Sequence, residues 1–143
     1  MTLTAARDGS APILGIDPGT RKCGMAVVVL PGVPPLALEI VPFSEFEQRV
    51  SELIASHGVR AVALGGGTHT AAVAASLGTL TVPLAIVDER DTTYLARERY
   101  FRAHPPKGWR RFVPRGMLLP PRPIDDFAAL LIAERFLERE AVR

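Results

Sequence analysis

The amino-acid sequence predicts an α/β protein with a mixed five-stranded sheet and helices on both faces, in a single domain. Three apolar segments rich in β-branched residues come first, separated by turns that contain Pro and Gly. Segments with helical spacing then alternate with two further short apolar segments. Meandering strands followed by strands that alternate with helices are typical of a mixed sheet covered on both sides.

Each element follows from a local pattern. Ser44 followed by Glu47 has the spacing of a capping box, and it predicts a helix that ends near His57. A short helix is expected over "TAAVAASLG", another from about Thr93 to Phe101, and a last one from Asp125 or Ile124 to about Glu140. Strands are predicted at residues 13–17, 24–30, 36–42, 60–64 and 83–87.

Length and composition exclude several classes of protein. A chain of 143 residues can form one domain that buries about two-thirds of its unfolded surface. With 48% hydrophobic and 22% charged residues it has no compositional sign of disorder, although we expect a disordered tail over residues 1–11. No apolar run approaches the roughly 18 residues of a membrane span, and one cysteine, Cys23, cannot form an internal disulfide. We therefore expect a cytoplasmic protein with no membrane partner.

The positive charge is concentrated in one part of the chain. Between Arg99 and Arg122 there are seven basic residues and no acid, with aromatic side chains between them. We expect residues 102–123 to form a basic, proline-rich substrate loop, called the basic loop below. Trp109 could stack on an exposed base, or it could pin the loop to the core. The expected nucleic-acid contacts in this loop are Lys107, Trp109, Arg110, Arg111 and Arg115.

Acidic residues stand at three points where strands or helices end or begin. Asp17 follows the first strand, Asp88 and Glu89 follow the last, and Asp125 and Asp126 open the last helix. If the first and last strands lie side by side, these carboxylates meet at one edge of the sheet. Clustered carboxylates repel one another unless a cation lies between them, and oxygen ligands suit Mg²⁺ or Mn²⁺. The pattern therefore favours a metal site.

Simpler explanations exist for each acid and for the glycine-rich loop. Asp17 could stabilise an Asp-Pro-Gly turn, Asp88 or Asp91 could cap the following helix, and Asp125 could be the N-cap of the last helix. A turn from strand to helix would also explain a second candidate site, a phosphate-binding loop formed by Gly66, Gly67 and Thr68.

Three segments resemble a known family. "ILGIDPGTRKCGMAVV" resembles the first hairpin of RuvC-like resolvases in the RNase H-like superfamily. "VDERDTTYLARERYF" resembles the DER-x-TT-x-x-A segment of its YqgF branch, also called RuvX, and "IDDFAALLIAERFL" is similar to the closing helix of that branch. The segments occur in the order of the family and cover about a third of the chain. A glutamate that RuvC carries after the middle strand is absent from "ALGGG", which favours the YqgF branch.

The resemblance implies an RNase H-like fold and assigns roles to individual residues. Asp17, Glu89 and Asp125 would be the catalytic carboxylates, holding two Mg²⁺ or Mn²⁺ ions, with Asp17 between the ions. Asp88 and Asp126 are rival metal ligands: Asp88 would otherwise support the site or cap the following helix, and Asp126 is the rival of Asp125. Arg90, in the same motif as Glu89, could contact a phosphate.

The implied function is a metal-dependent endonuclease acting on structured nucleic acid. Its substrate would be a four-way DNA junction or the precursor of the small-subunit ribosomal RNA, and the residues do not choose between them. Cutting a junction requires two symmetric incisions and favours a homodimer, whereas trimming RNA does not. The alternative is a non-catalytic module of the same fold that binds nucleic acid or the ribosome.

Overall fold

The computed structural model describes residues 11–142 apart from residues 68, 79, 89, 91, 115 and 116, and within them it confirms the mixed five-stranded sheet. Strand order across the sheet is β3-β2-β1-β4-β5. The strands are β1 (Ile13–Asp17), β2 (Lys22–Val28), β3 (Ala37–Pro42), β4 (Ala61–Gly66) and β5 (Leu84–Asp88). The helices are α1 (Phe46–His57), α2 (Thr70–Leu77), α3 (Thr92–Ala103) and α4 (Asp125–Val142), with short 3₁₀ turns at Phe43–Glu45 and Gly108–Phe112.

The parallel half of the sheet brings three strand ends to one edge. β1 pairs antiparallel with β2 and parallel with β4, and β4 pairs parallel with β5. The carboxyl ends of β1, β4 and β5 therefore share an edge, as expected. The condition that the first and last strands lie side by side is not met, because β4 pairs with both and separates them by about 10 Å, two strand spacings.

Each face of the sheet covers its own apolar core. Helices α3 and α4 pack over one face, where Ile13, Ala63 and Val87 are buried. Helix α1 packs over the other face, against Leu14, Ile16 and neighbouring strand residues. Alternate residues of β1 thus face opposite cores, which is the two-residue period of a strand buried on both sides.

Two glycines let α4 approach the sheet closely. A Cβ atom on Gly15 would lie 2.8 Å from the Cβ of Ala133 and would overlap the Ala129 carbonyl. A Cβ atom on Gly24 would lie 2.8 Å from the Asp126 nitrogen and would overlap the Asp125 carbonyl. Non-bonded carbon and nitrogen atoms do not approach this closely, so the α4 position requires glycine at both sites.

A buried ion pair fixes α4 against its neighbours. The Arg99 guanidinium on α3 donates two hydrogen bonds to the Glu134 carboxylate on α4, at 2.7 and 3.2 Å. Glu134 is only 6% exposed, and it also accepts the Gly32 N–H at 3.0 Å. Because the buried carboxylate depends on Arg99 for its opposite charge, removing Arg99 would leave that charge unpaired. The three hydrogen bonds together keep α3, α4 and the β2–β3 turn in one arrangement.

Two local expectations are corrected. Strand β2 begins at Lys22, two residues earlier than expected, and ends at Val28, so Leu30 is left 57% exposed. The capping box at Ser44 is absent, because a 3₁₀ turn over Phe43–Glu45 runs directly into α1 and no side chain caps either helix start. In the described part of the chain, no helix has the length and apolarity to span a membrane.

Candidate metal and nucleic-acid site

Asp17 lies at the carboxyl end of β1, on the side of the sheet that α4 covers. Gly15, two residues earlier, touches α4, while Leu14 and Ile16 belong to the core on the opposite face. The alternation along the strand places Asp17 with Gly15. Asp17 pairs with Gly24 in the antiparallel ladder, so these two residues are direct cross-strand neighbours.

The first turn of α4 lies against that same glycine. The backbone carbonyl of Asp125 fills the space where a Gly24 side chain would be. Gly24 is therefore the common neighbour of Asp17 and Asp125, one across the ladder and the other above the sheet. Because Gly24 has no side chain, Asp17 and Asp125 can both be its neighbours although they are 108 positions apart in the chain.

Both carboxylates affect the electrostatic environment of Cys23. Burial raises the pKa of the Cys23 thiol, and the negative charges of Asp17 and Asp125 raise it further, against a lowering by a hydrogen bond with the Gly19 backbone. Both carboxylates therefore lie within electrostatic reach of one sulfur atom. Cys23 is fully buried and stays a neutral thiol, which agrees with a packing role.

Asp126 has a different environment from its neighbour. Its side chain is 7% exposed and accepts hydrogen bonds from the Phe127 N–H at 2.9 Å and from Arg122 Nη1 at 3.3 Å. The Arg122 guanidinium also lies over the rings of Tyr100 and Phe127. A carboxylate held in this way stabilises the start of α4, whereas Asp125 is half-buried and its backbone packs on Gly24, the cross-strand neighbour of Asp17.

The third predicted ligand, Glu89, lies outside the described residues, and only its neighbours can be placed. The Asp88 carboxylate accepts the Arg90 N–H at 2.9 Å and lies 3.3 Å from the Arg90 guanidinium. This bond from residue i+2 back to an aspartate is a typical Asx turn. The Asp88 carboxylate therefore stabilises the turn that follows β5. The Arg90 side chain is 81% exposed to solvent.

The donor chemistry fits a hard divalent cation. Two carboxylates at one sheet edge provide oxygen ligands of the kind that Mg²⁺ and Mn²⁺ prefer, and a cation would relieve their mutual repulsion. Among the residues that the structure describes, no three acids, histidines or cysteines converge on a complete metal site. Asp17 and Asp125 remain predicted ligands of such an ion.

The basic loop presents its aromatic and cationic side chains to solvent. Trp109 is 75% exposed and Phe112 77% exposed, so neither pins the loop to the core, and Leu118 does so instead at 4% exposed. Arg110 holds the loop by donating to the Leu119 carbonyl at 2.8 Å. Lys107 and Arg111 are exposed, and Arg115 lies outside the described residues.

The glycine-rich loop after β4 uses its polar groups internally. The Gly67 N–H donates to Thr70 Oγ1 at 2.5 Å, and that hydroxyl donates to the Gly65 carbonyl at 2.5 Å. One donor that a phosphate would need is therefore already paired. Gly66 ends β4 opposite Asp88, and Thr68 is outside the described residues, so the phosphate-loop interpretation stays a prediction.

Sequence reasoning missed two residues whose contacts shape this edge of the sheet. Gly24 lies within a predicted strand and was given no special role. A glycine inside an apolar strand is nevertheless a recognised sign that another backbone segment packs closely against it. Arg135 was not singled out, because a basic residue in a helix interior has no distinguishing pattern. Its guanidinium donates to the carbonyl oxygens of Asp88, at 2.6 Å, and of Arg90.

Comparisons with known proteins support the fold. No protein-family model matches the sequence, and no curated protein matches it. Among solved structures, RuvC of Thermus thermophilus in complex with a Holliday junction substrate is similar, with a TM-score of 0.57 and 22% sequence identity over 90% of this chain and 95% of that chain. A second structure of Thermus thermophilus RuvC has a TM-score of 0.52 and 20% identity over 91% of this chain and 96% of that chain. The chain has the RNase H-like fold of RuvC.

Proposed function

We propose that this protein is a divalent-metal-dependent endonuclease that hydrolyses phosphodiester bonds in structured nucleic acid, as a resolvase-like or RNA-processing nuclease of the YqgF type. The observation that carries the proposal is the meeting of Asp17 and Asp125 across Gly24. A fold shared with RuvC, one of whose structures contains a Holliday junction, supports the class of substrate.

In this proposal Asp17, Asp125 and Glu89 would hold Mg²⁺ or Mn²⁺, which would supply an activated water at neutral pH and neutralise charge on the leaving oxygen. The packing of α4 on Gly24 holds the backbone of Asp125 next to the residue that pairs with Asp17. Hydrolysis would form a bond from the water oxygen to phosphorus and break the bond from phosphorus to the 3′ oxygen. The 3′ oxygen takes up a proton that the water loses, which leaves 5′-phosphate and 3′-hydroxyl ends.

The remaining residues bind and orient the nucleic acid. Exposed cations of the basic loop attract backbone phosphates without reading sequence, and Trp109 offers a face on which an unpaired base can stack. Arg90 lies at the carboxyl edge of the sheet, where the metal site is proposed. Its side chain can turn toward a phosphate, because its exposed ion pair with Asp88 contributes little energy.

A cleavage panel tests the proposed function. Wild-type protein is incubated with a four-way DNA junction, a linear duplex, single-stranded DNA and a structured RNA, each with EDTA, Mg²⁺ or Mn²⁺. We expect cutting of the junction or the RNA with either metal and none with EDTA. Binding without cutting under every metal condition would contradict the nuclease proposal and support the non-catalytic module.

The basic loop makes a separate prediction about salt. Replacing Lys107 and Arg111 together with Ala is expected to weaken binding and to reduce the slope of log K against log[salt] by about 2, one unit for each lost phosphate contact. Fluorescence anisotropy with a catalytically inactive protein measures this slope. The control variant Arg49→Ala removes a cation on α1 that pairs with Glu39 on β3 and with Glu52 on α1, and its slope should match the wild type. Equal slopes for all three proteins would show that the loop does not contact phosphates.

A further inference from the structure

The basic loop lies on the surface, yet hydrogen bonds and one buried side chain give it a defined conformation. Its 3₁₀ turn over Gly108–Phe112 is followed by a second turn, which is closed by a 2.9 Å bond from the Met117 N–H to a carbonyl three residues earlier. Arg110 connects the two turns through its bond to the Leu119 carbonyl, and Leu118 is buried in the core that α3 and α4 cover. The loop therefore holds its exposed side chains in one arrangement.

An open cavity of about 440 Å³ lies within this loop. Its volume is that of a site for a small organic group, since ligand pockets range from about 300 to 1,000 Å³. Met117 is 75% and Leu119 64% exposed, and the Trp109 indole is exposed to the same degree. Large apolar side chains that a fixed loop keeps in solvent around a cavity mark a binding site. The residues that line the cavity are Trp109, Arg110, Val113, Met117, Leu118 and Leu119.

The surroundings of the cavity are positively charged. Residues 102–123 include six basic residues and no acid. Arg110 lines the cavity itself, while Lys107 and Arg111 are exposed in or next to the same 3₁₀ turn. An occupant that suits both features has an apolar part and a negative charge. A nucleobase joined to its phosphate has this combination, because the ring stacks on an aromatic side chain and the phosphate pairs with Arg or Lys.

The lining also indicates that such a base is unpaired. In a duplex both faces of a base are covered by the neighbouring bases, so only a base that has left the stack presents a face to the Trp109 indole. Apart from Arg110 and the indole N–H, the described lining side chains are apolar, and they do not read base edges. A guanidinium has five N–H donors, and the bond to Leu119 uses one of them, so Arg110 can also donate to a phosphate.

We propose that this cavity binds one unpaired nucleobase, stacked on Trp109, while the basic loop holds the adjacent phosphates. The inference rests on the proposed function, because it takes the partner to be nucleic acid, but it requires neither a metal ion nor cleavage. It narrows the substrate to nucleic acid that contains at least one unstacked nucleotide. Because every base has a flat face, the cavity accepts different bases with similar affinity.

Trp109 reports directly on the cavity, because it is the only tryptophan of the chain. The probes are a short thymidine oligonucleotide, an abasic strand that keeps every phosphate and lacks the bases, and a duplex of equal length. Anisotropy of the labelled probes establishes saturation at low salt. We expect strong quenching of the Trp109 fluorescence by the thymidine strand and little by the other two probes. Equal quenching by the thymidine and abasic strands, or none by either, would overturn the inference.

Substitutions in the 3₁₀ turn test the same point by affinity. Trp109→Ala is expected to weaken binding of the thymidine strand about tenfold and to leave binding of the abasic strand unchanged. Trp109→Phe keeps an aromatic face and should retain most of the affinity. Phe112→Ala is the matched control, because Phe112 is as exposed as Trp109 and lies in the same turn but does not line the cavity. Equal losses in Trp109→Ala and Phe112→Ala would contradict a specific cavity for a base.

Further outcomes separate this inference from the proposed function. If the protein cuts nucleic acid with Mg²⁺ or Mn²⁺ but binds the thymidine and abasic strands equally, only the assignment of the cavity is wrong. If no nucleic acid binds at all, the proposed function and this inference fail together. Quenching by an acidic, leucine-rich peptide with none by the thymidine strand would make the cavity a protein-binding site and would overturn the inference.

Discussion

Asp17→Asn is expected to lower the cleavage rate by at least about a hundredfold while leaving nucleic-acid binding intact. Loss of a residue that only supports a metal ligand already costs about 10- to 100-fold, and Asp17 is proposed as the central ligand itself. An asparagine oxygen carries no formal charge, so it can neither hold a divalent ion as tightly nor balance its charge. Single-turnover cleavage gives the rate, and anisotropy gives the binding affinity.

Asp88→Asn is the appropriate control for that variant. Its carboxylate lies at the same edge of the sheet but is 62% exposed and is bonded to Arg90. Asparagine can accept the same N–H bond in the turn, so the variant should keep most of its activity. Loss of activity in Asp88→Asn with retention in Asp17→Asn would reverse the assignment of the ligands.

Gly24→Ala is expected to have the largest effect on stability. The added methyl group would overlap the backbone of Asp125, which cannot rotate aside as a flexible side chain can. Overpacking of a core costs about 1–3 kcal/mol, and a backbone clash belongs at the upper end, which corresponds to a fall of roughly 10 °C in Tm. Activity should fall further than stability alone explains, because the start of α4 must move away from Asp17.

Gly66→Ala is the matched control for this change. Gly66 also lies at the end of a strand, but its added Cβ would meet the movable Cγ2 of Ile86 at 3.1 Å. We expect a decrease of less than about 1 kcal/mol in the free energy of unfolding, measured by urea denaturation. A Gly24→Ala protein that melts and cuts like the wild type would mean that α4 does not pack on Gly24.

Local patterns in the sequence predicted the elements well, and for a physical reason. The apolar period differs between strands and helices, so β1, β4, β5 and the long α4 could be recognised within two residues of their ends. The alternating order of the later elements also predicted helices on both faces of the sheet. The prediction of a capping box was wrong because a 3₁₀ turn leads directly into α1. The residue pattern alone does not reveal such a turn.

Pairing between strands that are distant in the sequence was harder to predict. Periodicity states which face of a strand is buried but not which strand lies beside it. β4 was therefore not recognised as the strand between β1 and β5. The sequence predicted Asp17 and Asp125 as members of one acidic cluster. The reason that the two residues come together is the glycine at position 24, and this role of Gly24 becomes visible only once α4 is packed on the sheet.

The two acids that open α4 could not be separated by sequence for a similar reason. Neighbouring residues on a helix point about 100° apart, and only the packed structure shows where each one lies. Asp126 is buried and bonded to Arg122, whereas the Asp125 backbone packs on Gly24, which pairs with Asp17. This difference in environment supports Asp125 as the ligand of the proposed site.

The most direct test of the central claim is Mn²⁺ binding by the protein alone, compared between wild type, Asp125→Asn and Asp126→Asn. If Asp17 and Asp125 share a divalent ion, the wild type binds Mn²⁺, Asp125→Asn loses that binding with its Tm unchanged, and Asp126→Asn keeps it at a lower Tm. Equal Mn²⁺ binding by wild type and Asp125→Asn, or no binding by the wild type, would contradict the account.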